Sequence, residues 1–200
     1  MSQTVFVVDD DVAMRDALVQ LLEAAGLQVE SHADGPAFLD AYAEYRRGCL
    51  LLDMAMPGMT GLEVQSALKA RGHCIPILFL TGHGDIPMAV RAVQAGAVDF
   101  LEKPIPGAAL LERVRRALKL DREWRQAQDR TKAIQQRHAR LSTREQEVMA
   151  LAVTGLTSKE IAKQLGISPR TVEVHRTHVM HKMDAANLAE LVTMAACCTP

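Results

Sequence analysis

The sequence lacks a large net charge of either sign. Its 200 residues carry 23 Lys and Arg against 24 Asp and Glu, so the whole-chain charge gives no indication of binding to nucleic acid, membrane or an acidic substrate. It also lacks any apolar stretch near the roughly 20 residues that span a bilayer, and its N-terminus lacks the basic flank of a signal peptide. These absences predict a soluble, cytoplasmic protein with no membrane partner.

Cysteine is scarce, because four residues in a chain of this length do not make a disulfide scaffold. Cys49 and Cys74 lie in or beside apolar runs, where a thiol behaves as a small hydrophobe. Cys197 and Cys198 are adjacent, and adjacent cysteines rarely bridge each other. We therefore expect reduced thiols and assign no site to them.

The charges that are present are distributed unevenly. Residues 1–120 are acidic in excess, 121–140 are basic in excess, and 141–200 are balanced. This pattern predicts a first domain over 1–120, a polar and helical linker over 121–140, and a second domain over 141–200. The linker is either a continuation of the preceding helix or an independent hinge.

Short apolar runs rich in β-branched residues alternate with helical patterns through the first domain. Short connections of this kind predict an α/β fold, a doubly wound five-stranded parallel sheet with helices on both faces. In such sheets ligands bind beyond the carboxyl ends of the strands. The predicted strands are Thr4–Val8, Leu27–Glu30, Cys49–Leu52, Ile77–Leu80 and Ala97–Leu101.

Carboxylates follow two of these strands. Asp9, Asp10 and Asp11 come directly after the first strand, and Asp53 follows the third. Two carboxylates about 4 Å apart repel by roughly 4 kcal/mol at an effective dielectric of 20, so the cluster favours a divalent cation, and all-oxygen ligation suits Mg²⁺. The alternative is that Asp10 or Asp11 only caps the first helix.

A hydroxyl and an ammonium follow two further strands. Thr81 follows the fourth predicted strand, and Lys103 with Pro104 follows the fifth. Considered separately, Thr81 could be only the polar residue at which a strand stops, and Lys103 could be only a surface residue. Together with the carboxylates, they predict a site that binds a phosphoryl group from three sides.

The second domain shows closely spaced helix starts and no strands. These signals predict four short helices, with Gly155 and Gly166 where helices stop. Helices over Ser158–Leu165 and Pro169–Met183 would be joined by a very tight turn, which is a helix-turn-helix arrangement. The helix starts are predicted capping boxes at Ser142 with Glu145, Thr157 with Glu160 and Asn187 with Glu190, and a Ser168 cap before Pro169.

A recognition helix places its N-terminal residues on base edges in the major groove, so Pro169–Thr177 is the expected reading face. The alternative is an ordinary four-helix module that binds protein. His175, His178 and His181 recur every three residues, but we expect no metal there because no acid or cysteine completes a ligand set. The candidate DNA-binding residues are Thr157, Ser158, Lys159, Ser168, Arg170, Thr171, Glu173, Val174, Arg176, Thr177 and Lys182. Glu173 could instead pair with Arg170 or Arg176.

Four segments of the first domain resemble the receiver domain of two-component response regulators. They are Val7–Asp11, Leu52–Gly61, Thr81–Asp85 and Lys103–Pro104. The resemblance implies that Asp53 is the phosphoacceptor, and that Mg²⁺ is held by Asp9, Asp10, Asp53 and the carbonyl of Ala55. It further implies that Thr81 and Lys103 contact the phosphoryl oxygens, that Phe100 changes rotamer with them, and that the Lys103–Pro104 bond is cis.

The second domain resembles the LuxR-type DNA-binding domain through three segments, Leu141–Val148, Ser158–Ala162 and Ile167–Arg176. Together the two resemblances place the chain in the NarL/FixJ class of response regulators. That class implies a transcription regulator, not an enzyme, whose partners are a sensor histidine kinase, operator DNA and RNA polymerase. It also implies a homodimer when phosphorylated, formed through the helix over 86–95 and the strand after it.

Two other functions can be built on the same kind of fold. An aspartate-nucleophile phosphohydrolase also uses Mg²⁺, lysine and threonine, but it carries a DxD nucleophile after the first strand, whereas this acceptor follows the third. A flavodoxin-like flavin binder needs a hydroxyl-rich phosphate loop after Val8, where this chain has three acids.

Overall fold

The computed structural model describes residues 3–82 and 86–198, with the side chains of 86–89 left out. The chain divides into two compact units, Met1–Trp124 and Arg125–Pro200. The boundary between these units falls inside one helix, Gly107–Ala139, so the residues of the predicted linker are helical. No helix in the described residues has the length and apolar character needed to cross a membrane.

The first unit is a five-stranded parallel sheet in the order β2-β1-β3-β4-β5, flanked by helices. The doubly wound α/β prediction is therefore confirmed. Its strands are β1 (Thr4–Val8), β2 (Gln28–His32), β3 (Gly48–Asp53), β4 (Ile77–Thr81) and β5 (Asp99–Glu102). Its helices are α1 (Val12–Ala24), α2 (Gly35–Ala41), α3 (Gly61–Ala70), α4 (Ile86–Gln94) and α5 (Gly107–Ala139).

Of the five predicted strands, β1 has the predicted bounds, β3 extends one residue further in each direction, to Gly48 and Asp53, and β4 extends one residue further, to Thr81. β2 begins one residue later than predicted and continues to His32, and β5 begins at Asp99 rather than at Ala97. Ala97 is still part of the turn that ends α4, because its backbone N–H donates to the carbonyl of Ala92 at 3.0 Å. Apolar residues alone did not separate this turn from the strand.

Alternate residues of the strands enter two separate cores. One core holds Phe6 and Leu52 of the sheet against α2, α3 and α4, and the other holds Val7 and Leu51 against α1 and α5. Burial of both faces explains why the strands are continuously apolar rather than alternating. The polar residues at the strand ends are therefore left at the rim of the sheet.

The second unit is helical, with α6 (Thr143–Ala152), α7 (Ser158–Leu165), α8 (Pro169–Met183) and α9 (Leu188–Ala196) after the end of α5. The capping boxes at Ser142 and Thr157 are confirmed, and Ser168 caps α8. The third capping box is wrong: Asn187 caps α9, but the carboxylate of Glu190 accepts from the N–H of Ala186 instead. Gly166 ends α7 in the left-handed conformation, at φ 66°.

Candidate phosphoryl site and nucleic-acid interface

Three charged side chains from distant parts of the chain meet at the carboxyl edge of the sheet. Asp9 follows β1, Asp53 ends β3, and Lys103 follows β5. The Lys103 Nζ donates to Asp9 Oδ2 at 2.7 Å and to Asp53 Oδ1 at 2.6 Å. One ammonium therefore lies between two carboxylates.

Both carboxylates are buried, with Asp9 1% exposed and Asp53 6% exposed. Each gives its second oxygen to the backbone: Asp9 Oδ1 accepts the N–H of Asp11 at 3.0 Å, and Asp53 Oδ2 accepts the N–H of Ala55 at 2.8 Å. These contacts fix the orientation of both carboxylates relative to the ammonium.

The balance of charge at this edge is visible in two pKa shifts. Burial raises the pKa of Asp9 above its ordinary value, although contacts with Lys103 oppose the shift. Burial by itself lowers the pKa of Lys103, but its hydrogen bonds to Asp53 and Asp9 outweigh burial and raise it. The ammonium is thus held firmly charged, while the negative charge exceeds what it neutralises.

The three consecutive aspartates have different surroundings. Asp11 caps α1, because its carboxylate accepts from the N–H groups of Ala13 and Met14. Asp10 is exposed, next to the buried Asp9. Of the two residues suggested as a cap, Asp11 has that role, and Asp10 remains available as a ligand.

Thr81 and Phe100 lie on neighbouring strands beside this cluster. Thr81 is buried at the end of β4, one residue past Leu80, which pairs with Asp53. Phe100 of β5 is partly buried and pairs with Phe79 of β4. The predicted motif continues through 83–85, which lie outside the described residues. The Lys103–Pro104 bond is cis, as expected.

A close backbone approach fixes the end of β3, and the sequence reasoning missed it. A Cβ on Gly61 would lie 2.5 Å from the carbonyl oxygen of Asp53, and the Gly61 N–H donates to the carbonyl of Met54. A complete capping box between Thr60 and Glu63 then starts α3. The T-x-x-E spacing at Thr60 was the signal that could have revealed this start.

In the second unit, α7 and α8 are joined by only Gly166, Ile167 and Ser168. Ile167 packs against the small core formed by α6, α7 and α8, which fixes the turn. The helix-turn-helix prediction is therefore borne out in its elements.

The candidate DNA residues fall into two groups. Exposed side chains free of the helix caps include Lys159, Arg170, Glu173 and Val174, the last 48% exposed. Glu173 forms no ion pair with any residue in the described ranges. The hydroxyls that belong to caps or to local hydrogen bonds are those of Thr157, Ser168, Thr171 and Thr177, and Ser158 is the first residue of α7.

Two basic candidates are already engaged with the protein. Arg176 donates from Nη1 to the carbonyl of Leu156 at 3.3 Å, and Lys182 Nζ donates to Glu145 Oε2 at 2.6 Å. Glu145 is 3% exposed, and the hydrogen bond from Lys182, with one from the backbone of Ser142, lowers its pKa to about 2. From the sequence alone, Glu145 is identified only as a cap residue, because no local sequence pattern connects it to Lys182.

Comparison with known families decides the identity. Residues 5–115 match the response regulator receiver domain, and residues 139–195 match the bacterial regulatory proteins of the luxR family. The chain belongs to the response regulators. Receiver domains of this family generally bind Mg²⁺ through acidic residues.

This response regulator is 49% identical to transcriptional regulatory protein FixJ of Azorhizobium caulinodans, over 97% of its own length and 92% of that protein. It is 44% identical to FixJ of Bradyrhizobium diazoefficiens, over 96% of its length and 93% of that protein. The solved structure of response regulator StyR superposes with a TM-score of 0.86 at 45% identity, covering 98% of this chain and 99% of that one. These likenesses extend through both domains.

Proposed function

We propose that this transcriptional response regulator is switched by phosphorylation of Asp53, with a sensor histidine kinase as the donor. The observation that carries the proposal is the position of Lys103, whose Nζ lies 2.7 Å from Asp9 and 2.6 Å from Asp53. Of these carboxylates, Asp53 is the one that ends the third strand. This position differs from that of the nucleophile in aspartate-nucleophile phosphohydrolases, which follows the first strand. Such a reaction modifies the chain itself and does not make it a classical enzyme.

In the proposed reaction a carboxylate oxygen of Asp53 attacks phosphorus. The new O–P bond forms as the P–N bond to the kinase imidazole breaks, and that imidazole leaves with the electron pair. Lys103 balances charge on the transferred group, and the Thr81 hydroxyl, at the end of the neighbouring strand, donates to one of its oxygens. The Ala55 N–H keeps Asp53 oriented throughout.

The residues present fit a magnesium ion. The buried Asp9 and Asp53 offer oxygen ligands, the exposed Asp10 adds a third, and the carbonyl of Ala55 adds a fourth. The observation that supports this fit is that two buried carboxylates, Asp9 and Asp53, share the single ammonium of Lys103, so the cluster carries one more negative charge than positive charge. When bound there, Mg²⁺ supplies charge neutralisation for the phosphoryl oxygens.

We further propose that the new charge is transmitted to α4 and β5. A phosphoryl group adds about −1.5 to −2 charges, which is enough to draw Thr81 and Lys103 inward and to change the rotamer of Phe100. Val90 and Val93 of α4 are 47% and 53% exposed, and they give this surface an apolar face for a second copy of the chain.

The proposed output is recognition of operator DNA by α8. Val174 and Thr177 face solvent and suit contacts with base edges, and Glu173 can accept from cytosine. Basic residues and helix N-termini suit contacts with phosphates. Contact with RNA polymerase stays a prediction. The phosphate-contact candidates are Thr157, Ser158, Lys159, Ser168, Arg170, Thr171, Arg176 and Lys182.

A phosphorylation assay tests the acceptor directly. The full chain is incubated with a small acyl phosphate and Mg²⁺, and the modified residue is located by mass spectrometry. We expect Asp53 to be labelled, labelling to require Mg²⁺, and Asp53→Asn to abolish it. Asp16→Asn, on the exposed side of α1, serves as the matched control and should label normally. Stoichiometric labelling of Asp53→Asn would exclude the assignment.

A further inference from the structure

The second domain contains a histidine and carboxylate cluster that the sequence reasoning excluded. Glu145 of α6 lies beside His175 and His178 of α8, and one ligand atom from each residue lies within 4.8 Å of the others. The histidines were set aside because no acid or cysteine completed a ligand set near them in the chain. The premise of that exclusion is contradicted, since the packing of α6 on α8 places an acid beside the two imidazoles.

Helix geometry places the two imidazoles together. His175 and His178 are three residues apart, so they lie on the same side of α8, one turn apart. On one flank of that side are the exposed Val174 and Thr177, and on the other are the buried Val172 and Val179. The histidines therefore lie at the edge of the contact between α8 and α6, where they remain partly accessible to solvent.

The two oxygens of Glu145 have different partners. Oε2 accepts both the N–H of Ser142 at 2.7 Å and Nζ of Lys182 at 2.6 Å. Oε1 faces His178 Nδ1 at 3.7 Å, which is too long for a hydrogen bond. Oε1 is therefore the oxygen available to a ligand.

The spacing fits a tetrahedral metal. Two ligand atoms each about 2.1 Å from a tetrahedral ion are about 3.4 Å apart, close to the separation of Glu145 Oε1 and His178 Nδ1. His175 Nδ1 is buried and has no hydrogen-bond partner within the described ranges, so this ring is not committed to another group through that atom. An unpaired buried nitrogen is unusual and calls for a partner.

We propose that Glu145, His175 and His178 form a binding site for Zn²⁺. Two imidazoles and one carboxylate favour zinc and similar first-row ions, whereas Mg²⁺ prefers a site made only of oxygens such as that of Asp9 and Asp53. The exposed position of His178 leaves the fourth coordination position to water. The chain thus carries two metal sites of different chemistry, one in each domain.

Lys182 sets the strength of this site. Its ammonium binds the other oxygen of the same carboxylate, so it repels a cation placed on Oε1. Replacing Lys182 by a neutral residue removes that repulsion while Ser142 still holds the cap. The variant Lys182→Gln should therefore bind Zn²⁺ more tightly.

The experiment titrates Zn²⁺ into the full chain against a chromophoric chelator, with excess Mg²⁺ present to occupy the carboxylates of the first domain. The chain carries Cys197→Ser and Cys198→Ser so that these thiols do not capture zinc. We expect His175→Ala and His178→Ala each to weaken binding by more than about tenfold, which is the scale of losing part of a metal's coordination. His181→Ala is the matched control and should leave affinity unchanged.

Two further measurements keep the proposal falsifiable if a variant folds poorly. Lys182→Gln should raise Zn²⁺ affinity by at least about fivefold, which is the effect of one unit charge about 4 Å away at the dielectric constant of bulk water. In the unsubstituted histidine background, the NMR ring signals of His175 and His178 should shift on Zn²⁺ addition and those of His181 should not. Absence of zinc binding, an equal loss in His181→Ala, or equal shifts at all three rings would overturn the site and indicate adventitious binding by exposed histidines.

Discussion

The two domains each bury a lysine–carboxylate cluster, but the clusters hold different balances of charge. In the receiver, Lys103 lies between Asp9 and Asp53, so one ammonium serves two carboxylates. In the DNA-binding domain, Lys182 meets the single carboxylate of Glu145. The receiver cluster therefore has one more carboxylate than ammonium groups, whereas in the Glu145 cluster the two charges balance.

The pKa shifts follow this difference. Burial raises the pKa of Asp9, because its contacts do not compensate for desolvation. Hydrogen bonds from Lys182 and Ser142 lower the pKa of Glu145 to about 2, because at that site they outweigh burial. The sign of each shift depends on which effect is larger: desolvation dominates at Asp9, and the hydrogen bond from Lys182 dominates at Glu145.

The comparison assigns different roles to the two clusters. On the proposed function, the receiver cluster binds a cation, and the added charge of a phosphoryl group draws Thr81 and Lys103 towards it. The Glu145 cluster holds α6 to α8 without such a deficit.

The largest expected effect is the loss of stability when Glu145 is neutralised. Glu145→Gln should lower the free energy of unfolding by about 2 kcal/mol, because it leaves Lys182 without its charged acceptor. Denaturant unfolding of the full chain, followed by NMR signals of α6 and α8, measures it. The control is Glu147→Gln, whose exposed pair with Arg144 should contribute under about 0.5 kcal/mol. Equal losses of stability in Glu145→Gln and Glu147→Gln would mean that the buried pair contributes no more than the exposed pair.

Acid should weaken the two domains differently. The Glu145 pKa is about 2 in the folded chain and 4.5 ordinarily, so its stabilisation is complete above pH 4.5 and is lost as the pH falls from 4.5 towards 2. Full protonation of Glu145 should cost about as much as Glu145→Gln, about 2 kcal/mol, because both changes remove the charged acceptor of Lys182. The raised pKa of Asp9 acts in the opposite direction, because the folded receiver binds that proton more readily. Amide hydrogen exchange with a chelator present should show α6 and α8 losing protection while β1 retains it.

Neutralising the receiver cluster should stabilise it. Asp9→Asn removes one of two carboxylates that share Lys103, so the free energy of unfolding of the receiver should rise by about 1 kcal/mol, while affinity for Mg²⁺ falls. Asp16→Asn, in the exposed part of α1, should change neither quantity. A destabilised Asp9→Asn receiver would mean that Lys103 already balances the cluster.

The smallest effects concern DNA contacts. Arg176→Ala should weaken binding to all sequences by about 1 kcal/mol and reduce the salt slope by about one, whereas Val174→Ala should relax preference at particular bases. Binding-site selection with the phosphorylated protein across a salt series separates the two. Arg144→Ala on α6 is the control. If Val174→Ala and Arg176→Ala both left affinity and preference intact, α8 would not be the reading helix.

Local patterns predicted most of the fold because both domains depend on strong periodic signals. Continuous apolar runs indicated the buried strands, and cap residues with glycines indicated the helices around the tight turn at Gly166. The start of β5 was misplaced because Ala97 is apolar although it lies in a turn. The capping box at Asn187 failed because Glu190 found a neighbouring donor, Ala186, instead.

The candidate sites were predicted to different extents. Asp9, Asp53 and Lys103 could be brought together from sequence, because parallel strands place their carboxyl ends at one edge. The pairing of Glu145 with Lys182 and the histidines could not, because it depends on how α6 packs against α8. No spacing rule connects residues that are far apart on two helices.

On the proposed function, phosphorylation of the receiver controls the DNA-binding domain through dimer formation. Sedimentation of the phosphorylated chain, alongside titration of a selected palindromic DNA, tests this claim most directly. We predict that dimer formation and DNA binding appear together on phosphorylation, and that Asp53→Asn shows neither. Phosphorylated protein that saturates the DNA while it sediments as a monomer would contradict the account.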